Sequence, residues 1–221
     1  PLRRQRQMCI RDRFGSVSGA RIADLCAAPG GKTAQLAAAG AEVTAMDISA
    51  SRLARLEENF KRLRLPIQAA QGDIRQADIV SSGAFDGVLL DAPCSSTGTI
   101  RRHPDVAYTK SAEEVDKLAA VQADLLRHAA RAVRPGGLLV FSNCSLDPAE
   151  GEDVVEAFLA EHAEYRRKPI AAGELPGLEA AISPVGDVRT TPAMAPDTNP
   201  ALAGMDGFYA ARLLRQPATG G

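Results

Sequence analysis

Two cysteines stand directly after apolar segments of the chain, where a thiol could act as a nucleophile. Cys94 follows the apolar run Phe85–Asp91 in the sequence Asp-Ala-Pro-Cys-Ser-Ser, and Cys144 follows the run 137–142 in the sequence Asn-Cys-Ser. If both runs are neighbouring parallel strands, the two thiols and Asp91 lie in one cleft at the carboxyl edge of the sheet. A lone cysteine is more often a small buried hydrophobic residue, so the functional interpretation depends on the pair.

A thiol pair beside a carboxylate suits methylation at carbon 5 of a pyrimidine. Carbon 5 is too weakly nucleophilic to attack a methyl sulfonium unaided, but addition of a thiolate to carbon 6 makes it enamine-like. An acid at the ring nitrogen absorbs the developing charge. Because a free thiol has a pKa of about 8.5, its surroundings must activate it. The spacing alone leaves open which of the two thiols attacks.

A glycine-containing segment at residues 24–33 (DLCAAPGGKT) lies where the first predicted strand turns into the first predicted helix. This is the ligand-binding corner of a doubly wound fold. Gly31-Lys32-Thr33 imitates the end of a P-loop, but Cys26 occupies the position at which a P-loop needs its first glycine. The GxGxxG spacing of dinucleotide-binding loops is missing too. The segment is therefore either a tight turn or a loop for a ligand without phosphate groups.

Two carboxylates further along the chain favour the ligand-binding interpretation. Asp47 ends the apolar run Glu42–Asp47, and Asp73 follows a short apolar segment around Ile67. Either residue alone could be a helix cap or a turn residue. A carboxylate after the second strand can accept both ribose hydroxyls of a nucleoside. The order of these residues predicts a nucleoside site without phosphate contacts, which suits S-adenosylmethionine.

The elements that position these residues alternate between short apolar runs and segments of helical period, which is typical of βαβ units around a parallel sheet. The predicted fold class is therefore α/β. Ser111 and Glu114 form a capping-box pattern at the start of a helix, and residues 134–137 are expected to end it. Residues 169–203 are expected to form a loop with short helical pieces before a final strand at 207–214.

The composition is that of a globular protein with one sizeable core: 45% of the 221 residues are hydrophobic, 24% are charged and the formal net charge is -1. A balanced charge does not attract the whole chain to nucleic acid, so RNA would have to meet a local basic patch. The four cysteines show no CxxC pair and no histidine at zinc-ligand spacing, which predicts neither a metal site nor disulfides. No signal peptide or membrane span is visible. We expect a cytoplasmic monomer.

Taken together, the motifs resemble those of the Fmu/Sun family of bacterial 16S ribosomal RNA (cytosine-5)-methyltransferases, of the methyltransferase B type. The resemblance covers roughly residues 22–214 and rests on segments 24–33, 91–105, 143–152 and 205–208, with Asp47 and Asp73. It implies a Rossmann-like S-adenosylmethionine-dependent methyltransferase whose mostly parallel, doubly wound sheet has an antiparallel carboxy-terminal strand. It also implies methyl transfer to carbon 5 of a cytosine in RNA, with 16S ribosomal RNA as the expected partner.

The resemblance assigns roles to individual residues. Cys144 would be the covalent nucleophile, Cys94 would assist release of the methylated product, and Asp91 would contact the target cytosine at its ring nitrogen. DNA cytosine methyltransferases carry their nucleophile in a Pro-Cys motif, which would exchange the two cysteine roles, but the serine after each cysteine favours the RNA family. The expected cofactor-binding residues are Cys26, Ala27, Ala28, Pro29, Gly30, Gly31, Lys32, Asp47, Arg52, Asp73 and Asp91.

Two parts of the chain depart from the family pattern. Asn143 precedes Cys144 where threonine is usual, and only residues 1–20 precede the first predicted strand, where family members carry an RNA-binding domain. We interpret residues 1–20 as a basic remnant of a truncated chain, in part disordered or foreign, rather than as an RNA-binding arm. An arm of this kind would bind RNA weakly and in a salt-sensitive manner. Residues 21–215 are expected to form the catalytic domain and 216–221 a tail.

Two rival functions stay open at this point. A small-molecule methyltransferase would not need the paired Cys-Ser motifs, and a non-catalytic RNA-binding or assembly module would keep the cofactor fold without turnover. Arg101, Arg102 and His103 either meet the RNA backbone or form a solvated turn. The positive residues of segment 52–64 are expected on an ordinary charged helix surface.

Overall fold

The computed structural model describes residues 13–77, 83–194 and 204–217. Its strands are β1 Arg21–Leu25, β2 Glu42–Asp47, β3 Gln68–Gln71, β4 Phe85–Asp91, β5 Val133–Asn143, β6 Tyr165–Arg167, β7 Val188–Thr190 and β8 Phe208–Arg215. Its α-helices are α1 Gly31–Ala38, α2 Ala50–Leu63, α3 Val106–Thr109, α4 Ala112–Ala132 and α5 Glu152–Glu161. Most of the basic amino-terminal segment, residues 1–12, lies outside the described residues.

The described strands form one sheet in the order β3-β2-β1-β4-β5-β8-β6, and β7 also pairs with β8. The strands from β3 to β5 run parallel, whereas β8 runs antiparallel to each of its three partners. The chain winds outward in one direction from β1 to β3 and then returns to β4 on the other side of β1. The carboxyl ends of β1 and β4 therefore border the crevice where doubly wound folds bind ligands. The predicted α/β class with an antiparallel final strand is confirmed.

Helices cover both faces of the sheet because alternate strand residues point to opposite sides. In β4, Val88 and Leu90 pack into the cluster that contains Leu126 of α4, whereas Leu89 packs into the cluster that contains Phe60 of α2. In α2 the buried residues are Leu53, Leu56 and Phe60, a helical spacing that leaves the charged residues of the helix outside. The positive residues of this helix are exposed, as predicted, although Arg52 at its start also pairs with Asp47.

The start of β5 differs from the prediction. The capping box of Ser111 and Glu114 is present, but α4 ends at Ala132 and residues 134–137 continue as strand. The pairing of β5 with β4 shifts register after Phe85 pairs with Val133. Gly136 adopts a positive φ of 78° at this irregularity, and glycine and proline are tolerated in a strand where a bulge interrupts the ladder.

The region after α5 contains more sheet than the sequence indicated. Residues Ala172–Glu174 and Glu179–Ala181 form the expected short helical pieces, as 3-10 turns. The strands β6 and β7, each of three residues, were not predicted because so short a run shows no alternation of polar and apolar residues. Both use β8 as their partner, so they depend on a strand that follows later in the chain.

The residues before β1 pack onto the domain where they are described. Phe14 and Val17 are buried in the same cluster as Leu36 of α1. The domain boundary at residue 21 stays a prediction. No described helix is both long and apolar enough to cross a membrane.

Candidate active site

The two cysteines lie together at the carboxyl edge of the sheet. The last residues of β4 and β5 are neighbours, with Asp91 paired to Ser142, so the loops that follow both strands leave the sheet side by side. The Sγ atoms of Cys94 and Cys144 are 3.5 Å apart. The structure thus brings both thiols and Asp91 to one edge of the sheet, as predicted, with Asp91 and Cys144 lining the cleft and Cys94 in contact with Cys144. The separate chemical roles of the thiols stay predictions.

The surroundings of Cys144 favour its thiolate form. The hydrogen bond from Cys94 lowers the pKa of Cys144 to about 7, with a further contribution from Ser96, whose Oγ lies 3.5 Å from Cys144 Sγ. Burial and the charge of Asp91 oppose this shift, and the charge of Lys32 supports it. The pKa of Cys94 is raised by the same hydrogen bond and by burial. The two thiols therefore share one hydrogen bond, and the pair loses its first proton, favoured at Cys144, more easily than its second.

Asp91 is held between two elements. Its carboxylate accepts a hydrogen bond of 2.9 Å from the hydroxyl of Ser142 and forms an ion pair with Lys32 of α1. The Lys32 ammonium also lies 5.2 Å from the centre of the Phe208 ring. These contacts place a cation, a carboxylate and an aromatic ring next to the thiols, which is a suitable set for binding a polar planar base.

A cavity of about 240 Å³ opens beside the thiols. Its lining includes the glycine loop from Cys26 to Lys32 apart from Gly30, the carboxylates of Asp24 and Asp91, Cys144, and Phe208 at the start of β8. Gly30, a predicted cofactor residue, packs instead against Leu56 and Phe60 of α2. Cys26 and Ser96 both adopt left-handed backbone conformations, with φ of 72° and 61°. Such conformations are uncommon for residues other than glycine and cluster at ligand-binding and active sites.

A second cavity, of about 370 Å³, continues from the first toward the ends of β2 and β3. The two cavities share Cys26, Ala28 and Asp91, and the second also contains Asp47, Arg52 and Asp73. The predicted cofactor residues are thus distributed along one continuous path. That path leads from the thiols to the carboxylates at the ends of β2 and β3.

Asp47 is fixed by contacts from three directions. Its Oδ2 accepts a hydrogen bond of 3.2 Å from the backbone N–H of Ala28, and its Oδ1 accepts one of 2.9 Å from that of Ser49. Arg52 adds an ion pair of 2.9 Å that covers the carboxylate, while its own side chain is half exposed. A ribose that binds Asp47 would therefore have to share this buried carboxylate with the Arg52 guanidinium, and the ribose-binding roles of both residues stay predictions.

Asp73 lies at the far end of the second cavity. Hydrogen bonds from the Arg75 guanidinium and backbone lower the pKa of its carboxyl group, which keeps it ionised. The structure therefore brings Asp73 to the path predicted for the nucleoside, with Arg75 as a partner that the sequence analysis did not identify.

Asp24 is a site residue that the sequence analysis missed. Its side chain is buried, and Oδ2 accepts a hydrogen bond of 2.6 Å from the hydroxyl of Thr33, whereas Oδ1 has no hydrogen-bond partner. Burial raises the pKa of this carboxyl group to about 7. A buried acceptor without a partner is costly, and a ligand cation would satisfy it. Its position near the end of β1, matching Asp47 and Asp91 on later strands, was the available signal.

The first cavity fits the methionine part of S-adenosylmethionine, and the second fits its nucleoside. The unpartnered oxygen of Asp24 suits the ammonium group of the cofactor, and Gly31 has open space on the side where a Cβ would stand. Carboxylates at the ends of β2 and β3 suit hydroxyl and amino groups. The residues present therefore match the donors and acceptors of this cofactor.

The structure also places the basic turn of residues 101–103 and Asn143, the residue before Cys144. Arg102 lines the first cavity and forms an ion pair of 2.8 Å with Asp206, whereas His103 is exposed on the same turn. Asn143 is buried and does not face the cavity: its Oδ1 accepts a hydrogen bond of 3.0 Å from the Ser145 N–H, and its Nδ2 donates to the Glu150 carbonyl. The asparagine that replaces the usual threonine thus secures the loop that carries Cys144.

Cys26, Cys94 and Cys144 are free thiols, and Cys9 lies outside the described residues. Among the residues that the structure places, no group of three or more histidine, cysteine, aspartate or glutamate side chains is arranged to hold a metal ion.

The reversal of strand order beside β1 and the antiparallel β8 give the sheet of the Rossmann-like methyltransferases, and this is the class to which the domain belongs. The family described as 16S rRNA methyltransferase RsmB/F matches residues 15–214. The chain belongs to this family.

Individual relatives agree with the family assignment. Ribosomal RNA small subunit methyltransferase B from Serratia proteamaculans (strain 568) is 42% identical over 174 residues, which are 77% of this chain and 40% of the relative. NSun6 from Pyrococcus horikoshii, solved with SFG, has a TM-score of 0.71 at 27% identity over 89% of this chain and 48% of that one. A methyltransferase homolog protein from Pyrococcus horikoshii has a TM-score of 0.70 at 26% identity, over 91% and 63% respectively. The chain spans about two fifths of the length of the curated relatives it matches, 40% and 43% for two of them.

Proposed function

We propose that this chain transfers a methyl group from S-adenosylmethionine to carbon 5 of a cytosine in RNA, through a covalent bond between Cys144 and carbon 6. The observation that carries the proposal is the contact of 3.5 Å between the thiols of Cys94 and Cys144, beside Asp91 and the cavity of the glycine loop. Membership of the RsmB/F family supports ribosomal RNA of the small subunit as the substrate. Residues 21–215 would form the catalytic domain.

Cys144 is the better nucleophile of the two because its thiolate is the more accessible state near neutral pH. The proton that Cys94 retains is donated toward the sulfur of Cys144, and this hydrogen bond stabilises the negative charge before attack. The thiolate forms a bond to carbon 6, and the electron pair of the carbon 5–carbon 6 double bond becomes available at carbon 5. S-adenosylmethionine, when bound, supplies an electrophilic methyl group on a sulfonium sulfur.

Release requires the reverse movement of electrons. A base takes the proton from carbon 5, the double bond to carbon 6 forms again, and the bond between carbon 6 and Cys144 Sγ breaks to return the thiolate. Cys94 assists because its thiol hydrogen bond stabilises the departing sulfur. Asp91 holds the base at its ring nitrogen, and the Lys32 ammonium keeps the carboxylate in place through their ion pair.

The cofactor is held along the two connected cavities. Asp24 would bind its ammonium group, and the backbone from Cys26 to Lys32 would enclose its methionine part. Asp47 and Arg52 would bind the ribose, and Asp73 would lie by the adenine. With the cofactor held in this way, its methyl group would be supplied from the side of the glycine loop that faces Cys144.

Trapping with RNA that contains 5-fluorocytosine tests the roles of the two thiols, since fluorine at carbon 5 prevents release after methyl transfer. We expect Cys144→Ala to abolish the covalent RNA–protein adduct, and Cys94→Ala to form it and to accumulate it even on unmodified RNA. Cys26→Ala is a comparison variant: it removes a thiol of the cofactor loop and keeps both reacting sulfurs, so covalent capture should persist in it. Capture that survives Cys144→Ala and is lost in Cys94→Ala would reverse the assignment.

Labelled methyl transfer tests the substrate class. Incorporation into carbon 5 of cytosine in ribosomal RNA is the expected result. Labelling of a small molecule alone, or RNA binding without any transfer, would contradict the proposal.

A further inference from the structure

Glu150 is a fully buried carboxylate that follows Cys144 in the chain. Its Oε1 accepts hydrogen bonds from the Ser95 N–H at 2.8 Å and from the Gln122 side chain at 2.9 Å, and its Oε2 accepts one from the Ser95 hydroxyl. Burial of a carboxylate costs several kcal/mol unless such bonds replace its water. An apolar side chain could fill this buried position without that cost. The presence of a carboxylate therefore suggests a role other than stability.

The groups that the carboxylate holds all flank Cys94. Ser95 is the next residue in the chain and is held through both its backbone and its hydroxyl. Gln122 reaches the other side, because its Nε2 also donates a hydrogen bond of 2.9 Å to the Pro93 carbonyl. The carboxylate therefore fixes the residues immediately before and after Cys94, one through Gln122 of α4 and the other directly.

The loop of Cys144 is attached to Glu150 in a different way. Asn143 donates to the backbone carbonyl of Glu150, and the Asn143 side chain accepts the hydrogen bond from Ser145. This attachment uses the main chain, so it does not require the carboxylate. Glu150 thus joins the two cysteine loops, but its carboxylate bonds directly only to Ser95 and Gln122. It reaches the Cys144 loop indirectly, through the 3.2 Å contact between the Ser95 and Ser145 hydroxyls and the 3.5 Å hydrogen bond from Asn143 to Gln122.

We propose that Glu150 is a positioning residue that sets the place of the Cys94 thiol relative to Cys144, and thereby controls release of the methylated RNA rather than formation of the adduct. The inference rests on the proposed function of the two cysteines. Without the carboxylate, the Ser95 N–H loses its acceptor, the Gln122 amide keeps only the Pro93 carbonyl, and the Cys94 loop shifts. Cys144 keeps its main-chain attachment through Asn143 and still attacks the base.

The test compares Glu150→Ala, Glu150→Gln, Cys94→Ala and the double variant Glu150→Ala/Cys94→Ala. For Glu150→Ala we expect turnover on unmodified RNA to fall by about tenfold to a hundredfold, with accumulation of the adduct and an unchanged rate of 5-fluorocytosine capture. Glu150→Gln retains an oxygen for the Ser95 N–H and the Gln122 amide, so it should restore most of the turnover. The double variant should behave like Cys94→Ala alone, because both changes act through one thiol.

Glu174→Gln is the matched control. It alters another carboxylate in a hydrogen-bonded network, with Arg212 and the Ala171 N–H, on residues that do not touch either cysteine. It should leave the adduct fraction unchanged. Parallel losses of capture and turnover in Glu150→Ala, or independent losses that multiply in the double variant, would overturn the inference.

Ser95→Ala provides a second variant if Glu150→Ala does not fold, as judged by its thermal melting. It removes the hydroxyl that donates to Glu150 and keeps the backbone N–H, so we expect a smaller accumulation of adduct in the same direction. Equal losses of capture and turnover would again count against Glu150 as a positioning residue. Absence of capture by the unaltered protein would instead overturn the proposed function itself.

Discussion

Lys32 and Asp91 form an ion pair that joins the glycine loop to the end of β4, although they are 59 positions apart in the sequence. The pair connects the part of the site proposed for the cofactor to the part proposed for the base. Its two charges act on the Cys144 thiol in opposite directions, since Lys32 lowers its pKa and Asp91 raises it. The hydrogen bond from Cys94 therefore remains the main activating influence on Cys144.

Removing the charge of Lys32 and removing the charge of Asp91 should shift the pKa of Cys144 in opposite directions. Lys32→Gln should raise the pKa of Cys144, and Asp91→Asn should lower it, as measured by the pH dependence of alkylation. Methyl transfer should fall about tenfold or more in both variants, because Asp91 is proposed to hold the base and Lys32 to keep Asp91 in place. Lys61→Gln, which removes an exposed charge of α2, is the control. Equal shifts of the same sign would contradict this account.

The thiol pair predicts a specific pH profile. Half-maximal alkylation of Cys144 is expected near pH 7 in the unaltered protein. Cys94→Ala removes the hydrogen-bond donor, so the profile should move up by about one pH unit or more toward an ordinary thiol. Cys26 is an internal reference, because burial and neighbouring carboxylates raise its pKa to about 12 and it should react slowest. Iodoacetamide labelling followed by mass spectrometry distinguishes the three thiols. An unchanged profile in Cys94→Ala would show that the pair does not share a proton.

Asp24 links stability to pH. The folded protein holds the proton of this carboxyl up to about pH 7, whereas the unfolded chain releases it near pH 4. The free energy of unfolding therefore falls as the pH rises from about 4 to 7, and the lost stability stays lost above that window. Asp24→Asn cannot ionise, so its melting temperature at pH 8 should exceed that of the unaltered protein, by about 2–4 °C for each kcal/mol regained.

The same substitution should weaken binding of S-adenosylmethionine. A neutral amide in place of the carboxylate loses the charge that would hold the ammonium group of the cofactor. Isothermal titration calorimetry at pH 8 measures this directly. At pH 4 the two proteins should melt at similar temperatures. If Asp24→Asn were more stable but bound the cofactor with unchanged affinity, Asp24 would not be a cofactor-binding residue.

Gly98 should not tolerate a side chain. A Cβ at this position would lie 2.1 Å from the Gly207 carbonyl oxygen and 2.7 Å from that of Cys144, which are backbone atoms that cannot rotate away. Gly98→Ala should therefore destabilise the protein by about 1–3 kcal/mol or more and displace the Cys144 loop. Gly173→Ala is the matched control, because no atom lies within 4 Å of its Cβ position. Equal melting temperatures for the two variants would contradict the close approach.

Much of the sheet could be predicted from the sequence because its central strands are buried on both faces. The bounds predicted for β2 and β4 are those observed, and the apolar residues of both strands are buried. The start of β5 could not be predicted, because Pro135 and the two glycines after it form a pattern typical of a helix end. The sheet accommodates them through a register shift between β5 and β4. The strands β6 and β7 depend on β8, which follows more than 15 residues later in the chain.

The candidate site divides in a similar way. The cysteines and Asp47 could be placed because parallel strands bring their carboxyl ends to one edge. The position of Asp24 near a strand end could be read from the sequence, but its unpartnered oxygen and the contacts of Glu150 could not. Asp24 differs from other buried carboxylates by an oxygen without a partner, and the contacts of Glu150 join residues 28 and 55 positions away. Both properties exist only after the chain has packed.

The place of β8 in the sheet has a consequence for how the domain is made. A ribosome releases β5 well before β8, yet β8 is the strand that covers the free edge of β5 and supplies the partner of β6 and β7. During synthesis the outer edge of β5 therefore stays open, which is the kind of edge that pairs with other chains. The last strand to emerge closes the sheet, so the nascent domain depends on protection of that edge until translation has passed residue 215.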